Sequence, residues 1–176
     1  MDEFLRFTLD FIRANGWQFS WMERERLELS ALLASRLRLI LNSHSFIVLS
    51  DHDRAWFAQY FVHNINKEKL KPRLPIYGAE IIKTPLECKE DYLLLHDMLS
   101  LSFPNGYSYI YFGKGSDKSA VLAKGQNESL LFLMDESMDN SFYLNSQDEL
   151  LDFKLISLFK LIQASLDAII YSKVRL

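Results

Sequence analysis

The segment Ser50-Asp51-His52-Asp53-Arg54 gathers an imidazole, two carboxylates and a guanidinium within five residues. It follows the apolar run Phe46-Ile47-Val48-Leu49, whose composition suits a strand buried on both faces of a parallel sheet. In open α/β folds the turn after such a strand is the favoured place for a ligand. A phosphate there needs glycines for close backbone approach and a free helix N-terminus to meet it. This turn has no glycine and puts two carboxylates where the phosphate would sit. Asp51 or Asp53 is therefore expected to cap the following helix. A carboxylate in that position complements the helix dipole and repels a second anion. Acid/base work by His52 would need a nucleophile or a metal beside it. The chain has no G-x-S-x-G or H-E-x-x-H motif, and His44, His63 and His96 lack ligand spacing. No catalytic residue, cofactor or metal is assigned. Gly113-Lys114-Gly115-Ser116 offers the elements of a small anion-binding nest. It lacks the spacing of a nucleotide-binding loop, and an ordinary turn is the simpler reading.

The helix expected from about Asp53 to Asn66 carries two faces. Phe57, Ala58, Phe61, Val62 and Ile65 suffice to dock it on a sheet. Trp56, Tyr60 and His63 share an adjoining face in line with Asp53. Aromatic side chains with polar handles are enriched at protein interfaces. That face suits a different protein, another subunit or a wider core contact.

The elements that must position these groups follow from periodicity and punctuation. Residues 3–14 read as a helix with Phe4, Phe7 and Phe11 on one side, ended by Gly16. Ser20 and Glu23 fit a capping box opening a helix through about Asn42, with Leu29, Leu32, Leu33, Leu37, Ile40 and Leu41 inward. Further strands are expected at 75–82, 107–112 and 129–134, and a helix at 90–101. A second capping box, Ser146 and Glu149, is expected to open a long last helix. Its stripe is Leu151, Leu155, Leu158, Phe159, Ile162, Leu166, Ile169 and Ile170. Leu150, Phe153, Ile156, Leu161 and Val174 widen this beyond what a surface helix normally buries, so the helix is expected to be wedged between several elements or subunits. Near its end, Ile170 and Tyr171 are surplus apolar groups suited to an interface.

Strands alternating with helices point to an α/β three-layer sandwich, a parallel sheet flanked by helices, over a single domain of residues 1–176. A chain of 176 residues with 49 % hydrophobic and 14 % aromatic residues can build one sizeable core. The net charge of −3 speaks against nucleic-acid binding as the main activity. The densest basic stretch, Lys67, Lys69, Lys71 and Arg73, is interrupted by Glu68 and reads as a solvated loop. The lone cysteine, Cys88, excludes an intrachain disulfide and fits a reducing compartment. Met1-Asp2-Glu3 is the wrong charge for a signal peptide, and no apolar run is long enough to span a bilayer. A soluble cytoplasmic protein is expected.

The block LLDFKLISLFKLIQASLDAIIYSKV (Leu150 to Val174) and the helix from Arg54-Ala55-Trp56-Phe57 through Asn64-Ile65-Asn66 carry a resemblance, joined by Phe4, Phe11-Ile12-Arg13 and the acidic stretch from Glu23 to Glu28. They resemble the HobA family of small bacterial DnaA-binding proteins, over essentially the whole chain. Residues 75–125 diverge most. The resemblance implies a sugar isomerase (SIS)-like fold and a homotetramer that binds the N-terminal domain of DnaA. It implies a non-enzymatic regulator of DNA replication initiation that promotes DnaA assembly at the origin, as DiaA does in other bacteria. The docking surface expected on this basis is Asp53, Arg54, Trp56 and Tyr60 with Ile170 and Tyr171. The alternative is a phosphosugar-binding SIS domain, a sensor or an isomerase. Ser50-Asp51-His52-Asp53 stands where such a domain keeps a Gly/Ser phosphate loop.

Overall fold

The computed structural model of the protein describes residues 3–68, 71–82 and 88–176. Three helices come first: α1 (Glu3–Ala14), α2 (Ser20–Arg24) and α3 (Arg26–Leu41). Strand β1 (Ser45–Ser50) leads through a single 3-10 turn into α4 (Ala55–Ile65). Then come β2 (Ile76–Gly78), α5 (Lys89–Ser102), β3 (Tyr107–Lys114) and α6 (Lys118–Lys124). The chain closes with β4 (Leu130–Met134), β5 (Ser141–Leu144) and α7 (Leu151–Ile170).

All strand pairs are parallel, in the order β2-β1-β3-β4-β5. The chain leaves β1 first to one side, to β2, and later to the other, to β3. The carboxyl ends of β1 and β3 are therefore the switch point where such a sheet opens a crevice.

Side chains alternate across the sheet. Phe46, Val48, Ile110, Phe112, Phe132 and Phe142 face a core shared with α1, α2, α3, α4 and α7. Ile47, Leu49, Tyr107, Tyr109, Tyr111, Leu131 and Leu133 face α5 and α6. The expected three-layer α/β sandwich is present, with one thick and one thin helical layer. The centre of the thick layer is aromatic: Phe112 meets Phe57 edge-on at 4.7 Å and stacks on Phe132 at 5.0 Å, while Phe159 lies 5.4 Å from Phe61.

Several local expectations change. Neither predicted capping box forms. The Ser20 hydroxyl donates to the Trp17 carbonyl (2.8 Å), and Glu23 pairs with Arg13 (2.7 Å) instead. The expected single helix from 20 to 42 is two, broken at Glu25, where the Arg26 guanidinium donates to the Glu23 carbonyl (2.7 Å). Leu41 points outward rather than into the core. The last helix begins at Leu151 because both the backbone N–H (2.8 Å) and the hydroxyl of Ser146 are taken by Asp135. Asp148, just ahead of the helix, accepts the Leu150 N–H (2.9 Å) and pairs with Lys154, and no side chain caps the first turn. The helix stops at Ile170, where Ser172 turns into the left-handed region (φ 54) and the Lys173 N–H closes on the Ala168 carbonyl (2.7 Å).

The strand expected over 75–82 is only Ile76–Gly78, with a 3-10 turn after it. The sequence reading lacks α6 and β5. The link from β4 to β5 is short and carries no helix; Asp135 and Asn140 bend it in the left-handed region (both φ 60), so the usual helix-then-strand signal is missing. Lys69, in the basic stretch, lies outside the described residues. Lys71 is not free in solvent: it pairs with Asp167 (2.7 Å) and Glu68 (2.9 Å).

Candidate functional site

Two features meet along α4: the crevice at the carboxyl edge of the sheet, and an exposed face shared with α7.

At the crevice, the Asp51 carboxylate is buried and fully engaged. One oxygen accepts the Arg54 backbone N–H (3.0 Å), capping the turn into α4 as expected. The other accepts the Lys114 backbone N–H (2.8 Å) from the end of β3, and the Arg54 guanidinium (3.3 Å). Arg54 also reaches Asp53 (3.0 Å). The Tyr111 hydroxyl donates to the Lys114 carbonyl (2.8 Å), and burial, with the charges of Asp117 and Asp51, pushes its pKa well up. Gly113 is required here: a Cβ would lie 2.6 Å from the Asp51 carboxyl carbon and 2.8 Å from the Tyr111 hydroxyl. The chain thus supplies its own anion to the backbone donors that a phosphate would use.

The second glycine of that turn is treated alike. Glu136 lies against Gly115, and Lys124 Nζ sits between Glu136 (2.7 Å) and the Gly115 carbonyl (2.9 Å). The Gly-Lys-Gly segment is closed by internal carboxylates.

A cleft of about 1080 Å³ opens beside this cluster, lined by Asp51, His52, Trp56, Gln59, Glu80 and Asp117 among others. Asp117 is occupied in capping α6, accepting the Ser119 N–H (2.8 Å). Among the described residues no group of three or more His, Cys, Asp or Glu side chains is placed to hold a metal ion.

The helical face behaves differently. α4 runs beside α7 in the same direction. Trp56 shares a small recess with Leu151 and Asp152, Tyr60 meets Phe159 edge-on at 5.1 Å, and His63 and Asn66 share a groove of about 540 Å³ with Gln163, Asp167 and Ile170. Of the six residues singled out for docking, Trp56 (41 % exposed), Asp53 and Tyr171 (51 % exposed) face solvent. Tyr60 and Ile170 are half-buried against the core. Arg54 is 7 % exposed and turned inward, so its guanidinium holds Asp51 and Asp53 rather than presenting itself. The clusters do not merge into one spot: Trp56 sits by the start of α7 and Tyr171 just beyond its end, about 28 Å away at 1.5 Å per residue.

The surplus apolar groups of α7 split. Leu161 and Val174 are buried, Ile156 is partly so, and Leu150 and Phe153 remain exposed. Phe153 stacks face to face on the exposed Trp17 (5.8 Å, 3° between planes). Periodicity could not have paired a residue from the α1–α2 turn with one from the last helix.

This architecture has relatives. The family described as "HobA: DNA replication regulator" matches residues 1–176. The chain belongs to the HobA family. The DNA replication regulator protein HobA of Helicobacter pylori is 30 % identical, with both chains covered in full. Among solved structures, HobA in a complex with DnaA (domain I-II) from Helicobacter pylori matches at TM-score 0.79 and 28 % identity, with full coverage of both chains. Helicobacter pylori HobA by itself matches at TM-score 0.79 and 26 % identity, covering 100 % of this chain and 99 % of that one. Both HobA structures match over the full length of this chain. No helix among the described residues is long and apolar enough to cross a membrane.

Proposed function

We propose that this HobA-family protein is a non-enzymatic cytoplasmic adaptor in DNA replication initiation. It binds the N-terminal domain of DnaA and promotes the assembly of DnaA at the origin. The observation that carries this reading is its full-length likeness, in sequence and fold, to a HobA seen in complex with DnaA domain I-II. The filled crevice supports the non-enzymatic part, since the donors that would greet a phosphorylated substrate are already bonded to Asp51.

The adaptor works as a homotetramer with several equivalent sites. Tethering several DnaA molecules raises their mutual effective concentration, to the millimolar range for short flexible links, with no DNA contact of its own. A net charge of −3 is compatible with that division of labour. The docking surface is the long α4–α7 face, with Asp53 and Trp56 at one end, Tyr60 between, and Ile170 and Tyr171 at the other. Such a length suits a standard interface of roughly 800 Å² per partner.

Light scattering on the protein alone, and mixed with the DnaA N-terminal domain, tests the tetramer and the complex together. Trp56→Ala and Tyr171→Ala are expected to weaken the complex at least tenfold while leaving the mass of the free oligomer unchanged. Unchanged affinity in both variants sinks the proposed surface; a monomeric free protein sinks the tetramer.

A further inference from the structure

We infer that the exposed stack of Trp17 on Phe153 is a further docking patch, which widens the proposed surface across α7 and takes a basic segment of the partner. The inference rests on the adaptor reading and places that segment in the DnaA N-terminal domain. Trp17 sits on the 3-10 turn Gly16–Gln18, entered through Gly16 in the left-handed region (φ 71). One face of its ring lies on Phe153 (5.8 Å, 3° between planes). The residue is nevertheless 73 % exposed, so the other face of the ring looks into solvent. Leu150, 56 % exposed, lies one helical turn from Phe153. Aromatic and aliphatic area gathered in one place on the surface marks an interaction site.

The patch is continuous with the Trp56 end of the proposed surface. Trp56 shares its recess with Glu149 and Asp152, and both lie within one turn of Phe153 on α7. The half-buried Ile156 follows one turn after them.

Charge selects the occupant. Glu149 and Asp152 are exposed, and among the described residues neither is in an ion pair. Lys154, the nearest lysine along the helix, is held by Asp148 and lies over the Trp21 ring (5.1 Å). The helix dipole accounts for acidic residues in a first turn, but not for open rings beside them. A second copy seated by two-fold symmetry would bring these carboxylates toward their own counterparts, which is repulsive. An arginine or lysine from a different protein meets both halves of the patch. Its stem or guanidinium lies on the open face of Trp17, and its charge reaches Glu149 or Asp152.

Calorimetric titration with the purified DnaA N-terminal domain tests this. Trp17→Ala and Phe153→Ala are each expected to weaken binding about tenfold. Trp17→Phe, which keeps a ring over Phe153, is expected to retain most of the affinity. Glu149→Gln combined with Asp152→Asn should weaken binding at about 50 mM salt and flatten its decline toward about 500 mM. The circular dichroism and the mass of the free oligomer are expected to stay as in the native protein. Native affinity in both Trp17→Ala and Phe153→Ala overturns the inference; if Trp56→Ala and Tyr171→Ala still bind weakly, the adaptor reading survives it. A native salt dependence in the neutralised variant overturns the basic partner. A free oligomer that loses mass in Trp17→Ala puts a second copy on the patch and overturns the assignment too. No binding by the native protein ends the adaptor reading and this one together.

Discussion

Arg54→Met separates a structural guanidinium from a docking one. Methionine keeps much of the apolar stem in a 7 % exposed site and removes the charge that bonds Asp51 (3.3 Å) and Asp53 (3.0 Å). If Asp51 were left without partners, the cost would approach the 3–5 kcal/mol typical of a broken buried ion pair. It is not, because the Arg54 and Lys114 N–H groups (3.0 and 2.8 Å) still solvate the carboxylate. The loss should be nearer that of charge-assisted hydrogen bonds, roughly 1.5–3 kcal/mol. For a chain of this size that is a fall in Tm of roughly 3–12 °C. Urea unfolding of native and variant protein, fitted with a common m-value, measures it directly. DnaA binding, assayed at a temperature where both are folded, should be unaltered. A variant within about 0.5 kcal/mol of native would refute the view that this pair holds the start of α4. Normal stability with lost DnaA binding would put the guanidinium in the interface after all.

The other predictions concern the packing and charge behind the proposed docking face. Phe159→Ala removes the ring that Tyr60 and Phe61 meet at 5.1 and 5.4 Å, and should cost about 3–5 kcal/mol in urea unfolding. Asp148 is held below its ordinary pKa by Lys154 and by the Leu150 N–H. A depressed carboxylate contributes stability that is complete above its unfolded pKa and is lost as pH falls through the lower folded value. The first turn of α7 should therefore hold at pH 5 and loosen below about 3.8. Lys154→Met should move the Asp148 titration, followed by NMR, back toward that ordinary value, and an unmoved titration would show that Lys154 is not the cause.

Much was legible from residue type and spacing. Apolar runs and 3.6-residue periodicity locate β1, β3, β4, α1, α4, α5 and α7, because burial on a sheet imposes those patterns whatever the connection. The absence of glycine in Ser50-Asp51-His52-Asp53 already argued against a phosphate, and Asp51 was one of two candidate caps. What spacing could not supply is which polar side chains turn inward. Arg54 and Trp56 are two residues apart and both suit an interface by type, yet one is buried and the other exposed. That choice rests on Asp51, a strand end at Lys114 and a missing Cβ at Gly113, the last two about 60 positions from Arg54. The second capping box failed for a similar reason: Ser146 meets both the helix-start rule and the Asp135 carboxylate, and the second contact exists only once β4 and β5 are side by side.

The sequence alone, then, determined the α/β class, the helix carrying the exposed aromatics and the chemistry of the turn before it. These follow from local periodicity and from the charge of side chains a few residues apart. Only the tertiary structure decided that Asp51 ties the start of α4 to the end of β3, that Arg54 belongs to the interior, and that Trp56 lies by the start of α7 while Tyr171 follows its end. Each of those depends on segments distant in the chain, whose approach is set by strand order and by how α7 lies along α4.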